Sequence, residues 1–284
     1  SFPIQYTIDY IHHVDNPVGM YGKKLSCQIH IIAVGTTPLL NIIKCLARCQ
    51  VEVNQVLASS YCSGLSVLSD DEIIIVSLVI DFGSHTTSLA IYLICNSIFI
   101  FYGKHGINDV TINIAKKFAL DLKTAEKIKM LFGLADPELL KKDQVINLDD
   151  FIEGNETNMS IKISDLAEVI KSSLDIIFTN MKEQYERSRL DRVISNNILV
   201  TGGGSNLYGI KDYLSNFFGK QVKIAKNETL KGYLVSTRDK SDSAVIGLTM
   251  NHSIQISKNN ADRNFSRNNY NWFQKTISWF KENI

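Results

Sequence analysis

The chain has 284 residues, 45% of them hydrophobic, with 30 Lys and Arg against 29 Asp and Glu and a net charge of +1. That length suffices for one large or two moderate domains with a sizeable core, and the even charge balance excludes a global electrostatic footprint for nucleic acid. No apolar run reaches the roughly 18–20 residues of a membrane-spanning helix.

The five cysteines, Cys27, Cys45, Cys49, Cys62 and Cys95, form neither a CxxC pair nor a disulfide framework, which reads as reduced thiols in a cytosolic protein. A chain that opens on Ser1, with no signal peptide, reads as a piece of a longer product.

Pro3–Ile8 and Tyr10–Val14 are short extended pieces followed by the turn-rich D-N-P-V-G-M-Y-G-K-K; residues 1–24 look like the remnant of an inserted subdomain. Leu25–Val34 reads as a strand. Thr36 or Thr37 is placed to cap the next helix, where Leu39, Leu40, Ile43, Leu46 and Ala47 recur at helical spacing and Pro38 sits in the first turn. Val51–Leu57 is expected as a second strand and Ser59–Leu68 as a short helix. His30, among apolar strand residues, fits a satisfied core histidine better than a ligand.

Ile73–Tyr92 is the centre of the pattern. A β-branched run interrupted only by Ser77 ends at Asp81, turns through Phe82-Gly83-Ser84-His85 and resumes from Thr86. Such a run suits a strand buried on both faces. Amides and hydroxyls in the turn can cradle phosphate oxygens, and the carboxylate can hold a hydrated cation. Here D-x-G-x-x-T reads as a phosphate-binding hairpin, although alone such a turn can also be only a hairpin.

A return strand, Asn96–Tyr102, is followed by helices over Asn108–Phe118 and Thr124–Leu131, the second carrying Glu126 and Lys129 on one face. Taken by itself, that pair is a solvated ion pair. Asp136–Asn158 is polar and loop-rich, with a short strand at Gln144–Leu148. Ser164 opens the longest helix, to about Leu190, with Leu166, Val169, Ile170, Leu174, Ile177 and Met181 as its buried stripe.

Ile198–Thr201 is a strand entering Gly202-Gly203-Gly204, and Ser205 is placed to cap a helix running to about Phe218. Three glycines between strand and helix let a ligand approach the backbone, and the helix N-terminus favours phosphate. Gln221–Ala225 is a further strand and Ser241–Met250 a helix with a small-residue face. Residues 252–268 read as a polar linker. In the last 16 residues Trp272, Phe273, Ile277, Trp279, Phe280 and Ile284 share one helical arc beside lysines. That pattern points to an interfacial membrane helix over 269–284.

In sequence order, D-x-G-x-x-T on a hairpin, T-A-E-x-I-K on a helix, T-G-G-G-S, S-A-V-I-G-L, a polar linker and a Trp/Phe-rich terminal helix resemble the FtsA family, actin-like proteins of bacterial cell division. N-P-V-G-M-x-G at Asn16–Gly22 and G-x-N-D-V-T at Gly106–Thr111 resemble it too. The resemblance implies the actin/Hsp70-like α/β ATPase fold. The first lobe would be incomplete (residues 25–71 and a return at 240–251) and the second complete (72–239), followed by the C-terminal amphipathic helix.

The resemblance further implies that Asp81 orients Mg²⁺ through water as the catalytic carboxylate. Gly83 and Thr86 would then lie along the phosphates, Glu126 and Lys129 near ribose and adenine, and Gly202, Gly203 and Gly204 at the adenosine turn. The expected cofactors are ATP and Mg²⁺, provided an upstream phosphate-1 hairpin exists, and the expected activity is at most a weak ATPase.

The expected partners are FtsZ, further copies of the chain in actin-like polymers, other division proteins and inner-membrane lipids touched by Trp272, Phe273, Ile277, Trp279 and Phe280, with no nucleic acid. The expected place is the cytoplasmic face of the inner membrane at the division site.

Three departures accompany the resemblance. No phosphate-1 hairpin is present, Ser84 and His85 stand where the family has glycines, and Ser172, Ser173 and Ile176 replace a Pro-Arg pair and a Glu near the FtsZ-tail site. Two alternatives follow: a membrane scaffold that has lost nucleotide binding, and an actin-fold phosphotransferase, for which neither a substrate-binding lobe nor a general-base Asp is visible.

Overall fold

The computed structural model describes residues 2–14, 17–69, 72, 76–93, 96–151, 159–190, 197–225 and 240–251. Three strands, β1 (Phe2–Ile8), β2 (Ile11–Val14) and β3 (Leu25–His30), form a small antiparallel sheet in the order β2-β1-β3. The Leu25–Val34 strand therefore ends at His30 and runs along β1, from Ile8↔Leu25 to Phe2↔His30. It belongs to the sheet of the first residues. His30 is satisfied as expected, its Nδ1 lying 2.9 Å from the Ser97 carbonyl.

Helix α1 (Thr36–Arg48) is capped by the Gly35 backbone without a side-chain bond, so neither Thr36 nor Thr37 is the cap. Residues 51–58 form no regular element, contrary to the strand expected at Val51–Leu57. A segment becomes sheet only against a neighbouring strand, and among the described residues none pairs with it.

Helix α2 (Ser59–Val67) leads to β4 (Ser77–Phe82), β5 (Thr87–Leu93) and β6 (Asn96–Gly103). These join β9 (Asn197–Thr201) and β10 (Gln221–Ile224) in a five-stranded sheet ordered β10-β9-β4-β5-β6. The strands β10, β9 and β4 are parallel, whereas β5 and β6 return antiparallel. The apolar run at residues 73–75 lies outside the described residues, and the strand begins at Ser77.

Strand alternation explains the two-faced core. Leu78, Ile80, Phe82, Leu89, Ile91, Ile198 and Val200 face one side. They pack on α3 (Ile107–Phe118), α5 (Ile163–Arg187) and α6 (Ile210–Phe218). Val79, Ala90, Tyr92 and Leu199 face the other, against Tyr61, Cys62 and Leu65 of α2. Helix α4 (Leu122–Phe132) lies beside α3 and starts two residues earlier than expected, because the Asp121 side chain caps the Thr124 amide at 3.0 Å. A short hairpin of β7 (Val145–Asn147) and β8 (Ser160–Lys162) precedes α5.

Residues 243–251 form helix α7. It crosses α2 where Gly247 meets the Cys62 backbone so closely that a Cβ there would stand 1.7 Å from the Cys62 carbonyl oxygen. No helix among the described residues is long and apolar enough to cross a membrane. The amphipathic helix expected over 269–284, with Trp272, Phe273, Ile277, Trp279 and Phe280, lies outside the described residues.

Candidate functional site

Strands β4 and β9 run parallel with Asp81 opposite Thr201, so both deliver their carboxyl ends to one place. Ligands of open α/β sheets bind outside such ends. The hairpin after β4 closes with the Gly83 amide donating to the Thr86 carbonyl at 2.9 Å. Its carbonyls point into the start of α3: Gly83 O accepts from the Ile107 amide at 3.0 Å and Ser84 O from the Asn108 amide at 2.8 Å. Those are first-turn donors with no partner in their own helix. No backbone carbonyl among the described residues takes the amides of Ser84, His85 or Thr86. Ser84 and His85 stand exposed at the tip. Unspent amides in a tight turn are the donors an anion needs.

The turn after β9 lies flat against the end of β4. Gly202 has φ +86, and a Cβ there would stand 2.5 Å from the Phe82 carbonyl oxygen and 2.6 Å from Asp81 Oδ1. At Gly204 a Cβ would meet the Phe82 ring at 2.4 Å, whereas Gly203 faces open space with nothing within 4 Å. Only glycine meets both demands, a left-handed backbone and contact without a side chain.

Ser205 does not cap α6. Its hydroxyl donates back to the Gly202 carbonyl at 2.7 Å, residues Gly203–Asn206 make a 3-10 turn, and α6 begins after Gly209.

Asp81 accepts the Ser63 hydroxyl on Oδ2 at 2.6 Å. Burial raises its pKa from the usual carboxylate value, and the Ser63 hydrogen bond works against that rise.

Glu126 and Lys129 form the expected ion pair within the helix, but only the Glu126 end is solvated. Lys129 is only 6% exposed, and its ammonium donates to Glu126 Oε2 at 2.7 Å and to Thr111 Oγ1 on α3 at 2.8 Å. The Thr111 hydroxyl in turn donates to Glu126 at 2.5 Å. Desolvation pushes the Glu126 carboxyl upward, but the Lys129 and Thr111 hydrogen bonds outweigh it and leave the pKa lowered. The far end of α4 abuts the segment after the glycine turn, with the Ala135 amide donating to the Tyr208 carbonyl at 2.9 Å. Hairpin, glycine turn and buried lysine thus belong to one packed arrangement.

These residues fit a nucleotide on the side they form. The hairpin amides that no described backbone carbonyl takes suit phosphate oxygens, and open Gly203 suits a flat ring or sugar approaching the backbone, while Lys129 is held by Glu126 and Thr111. Among the described residues no group of three or more His, Cys, Asp or Glu could hold a metal ion. A Mg²⁺ here would arrive with phosphate and lean on Asp81 through water.

A concavity of about 620 Å³ opens between α3 and α5, lined by Asn113, Lys117, Phe118, Asp165, Glu168 and Ile176 among others. Ser172, Ser173 and Ile176, singled out in sequence, all lie there. The Asn113 amide donates to Ser173 Oγ at 2.9 Å, tying the two helices together.

Sequence reasoning missed Ser63, whose partner lies on another element. Thr111 was visible only as the last residue of G-x-N-D-V-T.

The family described as cell division protein FtsA matches residues 78–247, and the SHS2 domain inserted in FtsA matches residues 1–33. The FtsA of Borreliella burgdorferi is 28% identical over 252 residues, covering 87% of this chain and 60% of that protein. The FtsA of Buchnera aphidicola subsp. Acyrthosiphon pisum is 28% identical over 288 residues, covering 99% and 68%. Set against the Borreliella protein, the chain thus spans less than two thirds of its relative's length. Among solved structures, MreB5 of Spiroplasma citri bound to ADP superposes with a TM-score of 0.61 at 20% identity, covering 79% of this chain and 68% of that one. The fold is that of the actin-like ATPases.

Proposed function

We propose a function from one premise: this chain belongs to the family of cell division protein FtsA. The role is a cell-division one built on an actin-like fold. In our reading the protein binds an adenine nucleotide, assembles with copies of itself and attaches FtsZ polymers to the cytoplasmic face of the inner membrane, alongside other division proteins. Turnover in this reading is at most weak, and what there is would rest on positioning and charge neutralisation.

The observation that carries the nucleotide reading is the meeting of two glycine-bearing turns at the carboxyl ends of adjacent parallel strands, with Asp81 between them. The hairpin amides and Thr86 would hold phosphate, Gly202–Gly204 the adenosine, and Glu126 with Lys129 the ribose and adenine side. Bound Mg²⁺ would neutralise phosphate charge.

For FtsZ, the reading favours the concavity between α3 and α5. It offers apolar Phe118, Val169 and Ile176 beside Lys117, with the carboxylates of Asp165 and Glu168 on the same lining, so the apolar contacts and not charge would carry the docking. Without a guanidinium fork at Ser172 or Ser173, an acidic tail would be held less rigidly there than by arginine.

Attachment to lipid would fall to the amphipathic helix, with Trp272, Phe273, Ile277, Trp279 and Phe280 entering the interface. Trp279→Glu is expected to abolish co-sedimentation of the full-length protein with anionic vesicles; unchanged sedimentation would refute the anchor.

The second reading, a scaffold without nucleotide, draws on Ser84 and His85, whose side chains share the hairpin tip with the amides a phosphate needs. Equilibrium binding of MgATP to the full-length protein separates the two. Micromolar or tighter binding supports a working site, and none at millimolar supports the scaffold.

A further inference from the structure

Helix α2, on the far face of the sheet, sends a polar group to the ligand end of β4. Ser63 is fully buried in α2, among Tyr61, Cys62 and Leu65, which pack on the sheet. A buried hydroxyl destabilises unless it is hydrogen-bonded, and a helical serine usually satisfies itself on its own backbone. Ser66, one turn on, does so, its hydroxyl donating to the Ser63 carbonyl at 2.8 Å. Ser63 behaves differently. Its hydroxyl leaves the helix and donates to Asp81 Oδ2 at 2.6 Å.

The donor is held firmly. The Tyr92 hydroxyl donates to the Tyr61 carbonyl at 2.6 Å, and Gly247 of α7 presses on the Cys62 backbone from another side. Neither contact leaves α2 free to slide. Asp81 is thereby gripped at one oxygen by α2, while its other oxygen, Oδ1, lies beside Gly202, toward the turn where the ligand would sit.

We propose that Ser63 is a positioning residue for Asp81: it fixes the carboxylate in one orientation and occupies Oδ2, which keeps Oδ1 as the acceptor for the water shell of a magnesium–nucleotide complex. This rests on the nucleotide reading above. Ser63 touches neither nucleotide nor metal; it acts only through Asp81. A hydrogen bond to a charged group is the strong kind, and its loss would let the carboxylate rotate away from the metal's waters.

The test separates a magnesium-specific effect from a general one. Affinity of the full-length protein for a fluorescent ADP is measured with Mg²⁺ and with EDTA, for the wild type, Ser63→Ala, Asp81→Asn and the double variant. Thermal melting of the same four proteins checks that each is folded. The expected result is that Ser63→Ala lowers the gain in affinity that Mg²⁺ provides by about tenfold and leaves the EDTA affinity unchanged. Asp81→Asn should abolish that gain, and the double variant should match Asp81→Asn alone, since two residues acting in series are not additive.

The proposal is overturned if Ser63→Ala leaves the magnesium gain intact, or if it weakens binding equally with and without Mg²⁺, as loss of packing would. A wild type that binds no nucleotide would instead overturn the nucleotide reading, and the role of Ser63 with it; an Asp81→Asn variant that keeps the full gain would overturn the role of Asp81, and of Ser63 through it, while leaving nucleotide binding in place.

Discussion

Two stretches of similar apolar content end in opposite environments. In the β4–β5 pair, Leu78, Ile80, Leu89 and Ile91 are fully buried. In α1, Leu40, Ile42 and Leu46 are 47%, 60% and 37% exposed, and no residue of that helix is buried. Local signals go part of the way: β4 is a near-continuous apolar run suited to burial on both faces, whereas α1 has helical spacing with one apolar face, which by itself reads as a face to be covered. Partners settle the rest. Strand β4 has β5 and β9 on its edges and helices on both faces, whereas among the described residues nothing covers the apolar side of α1. Periodicity tells which face of an element is apolar; the rest of the fold decides whether that face leaves water.

The contrast can be pressed experimentally, most strongly in the sheet body. Phe178 on α5 lies edge-on to Phe82 at 5.2 Å and tilted against Tyr213 at 6.1 Å, with no exposed surface. Phe178→Ala should cost about 3–5 kcal/mol in urea unfolding; a loss below about 1 kcal/mol would mean the body is not packed as tightly as its burial states.

Gly202→Ala comes next. The left-handed φ alone costs about 1–3 kcal/mol for a residue with a side chain, and the Phe82 carbonyl must also move. A neutral outcome in the same assay would show that the turn is not pressed onto β4. Smallest is Ile42→Ser on α1, expected to fall within about 0.5 kcal/mol of the parent because the side chain is already in water. A loss of 1 kcal/mol or more would mean that the α1 face is covered in solution, and the contrast would dissolve.

Much of the body was legible because its signals are local. A β-branched run stopping at an aspartate gave β4, and three glycines after Ile198–Thr201 gave the turn at the end of β9. The recurrence of Leu166, Ile170, Leu174 and Ile177 gave α5. What escaped depends on a second element.

Val51–Leu57 has strand composition but no ladder neighbour. Ser205 looks like a cap because a glycine run precedes it, yet the 3-10 turn spends its hydroxyl on Gly202 and hands the start of α6 to Gly209. Glu126 and Lys129, three residues apart, read as a surface pair until α3 brings Thr111 against them. Ser63 carries no spacing signal at all, since its partner is eighteen residues away on another element.

The contact between Gly247 and Cys62 also bears on the order in which the chain can assemble. Helix α2 is synthesised early, but the surface that closes over it is among the last of the described residues to appear. The central strand β4 waits likewise for β9. Between them, α3, α4 and α5 are consecutive and can pair through shorter loops, so their docking carries the lower entropic cost. Parallel pairing of β4 with β9 must bridge that whole excursion. The topology therefore favours the local pieces first, the β4-β5-β6 meander among them, and the pairing of β4 with β9 late, and the two turns flanking Asp81 come together only at that last stage. A chain halted before residue 197 would hold the hairpin without its opposing glycines.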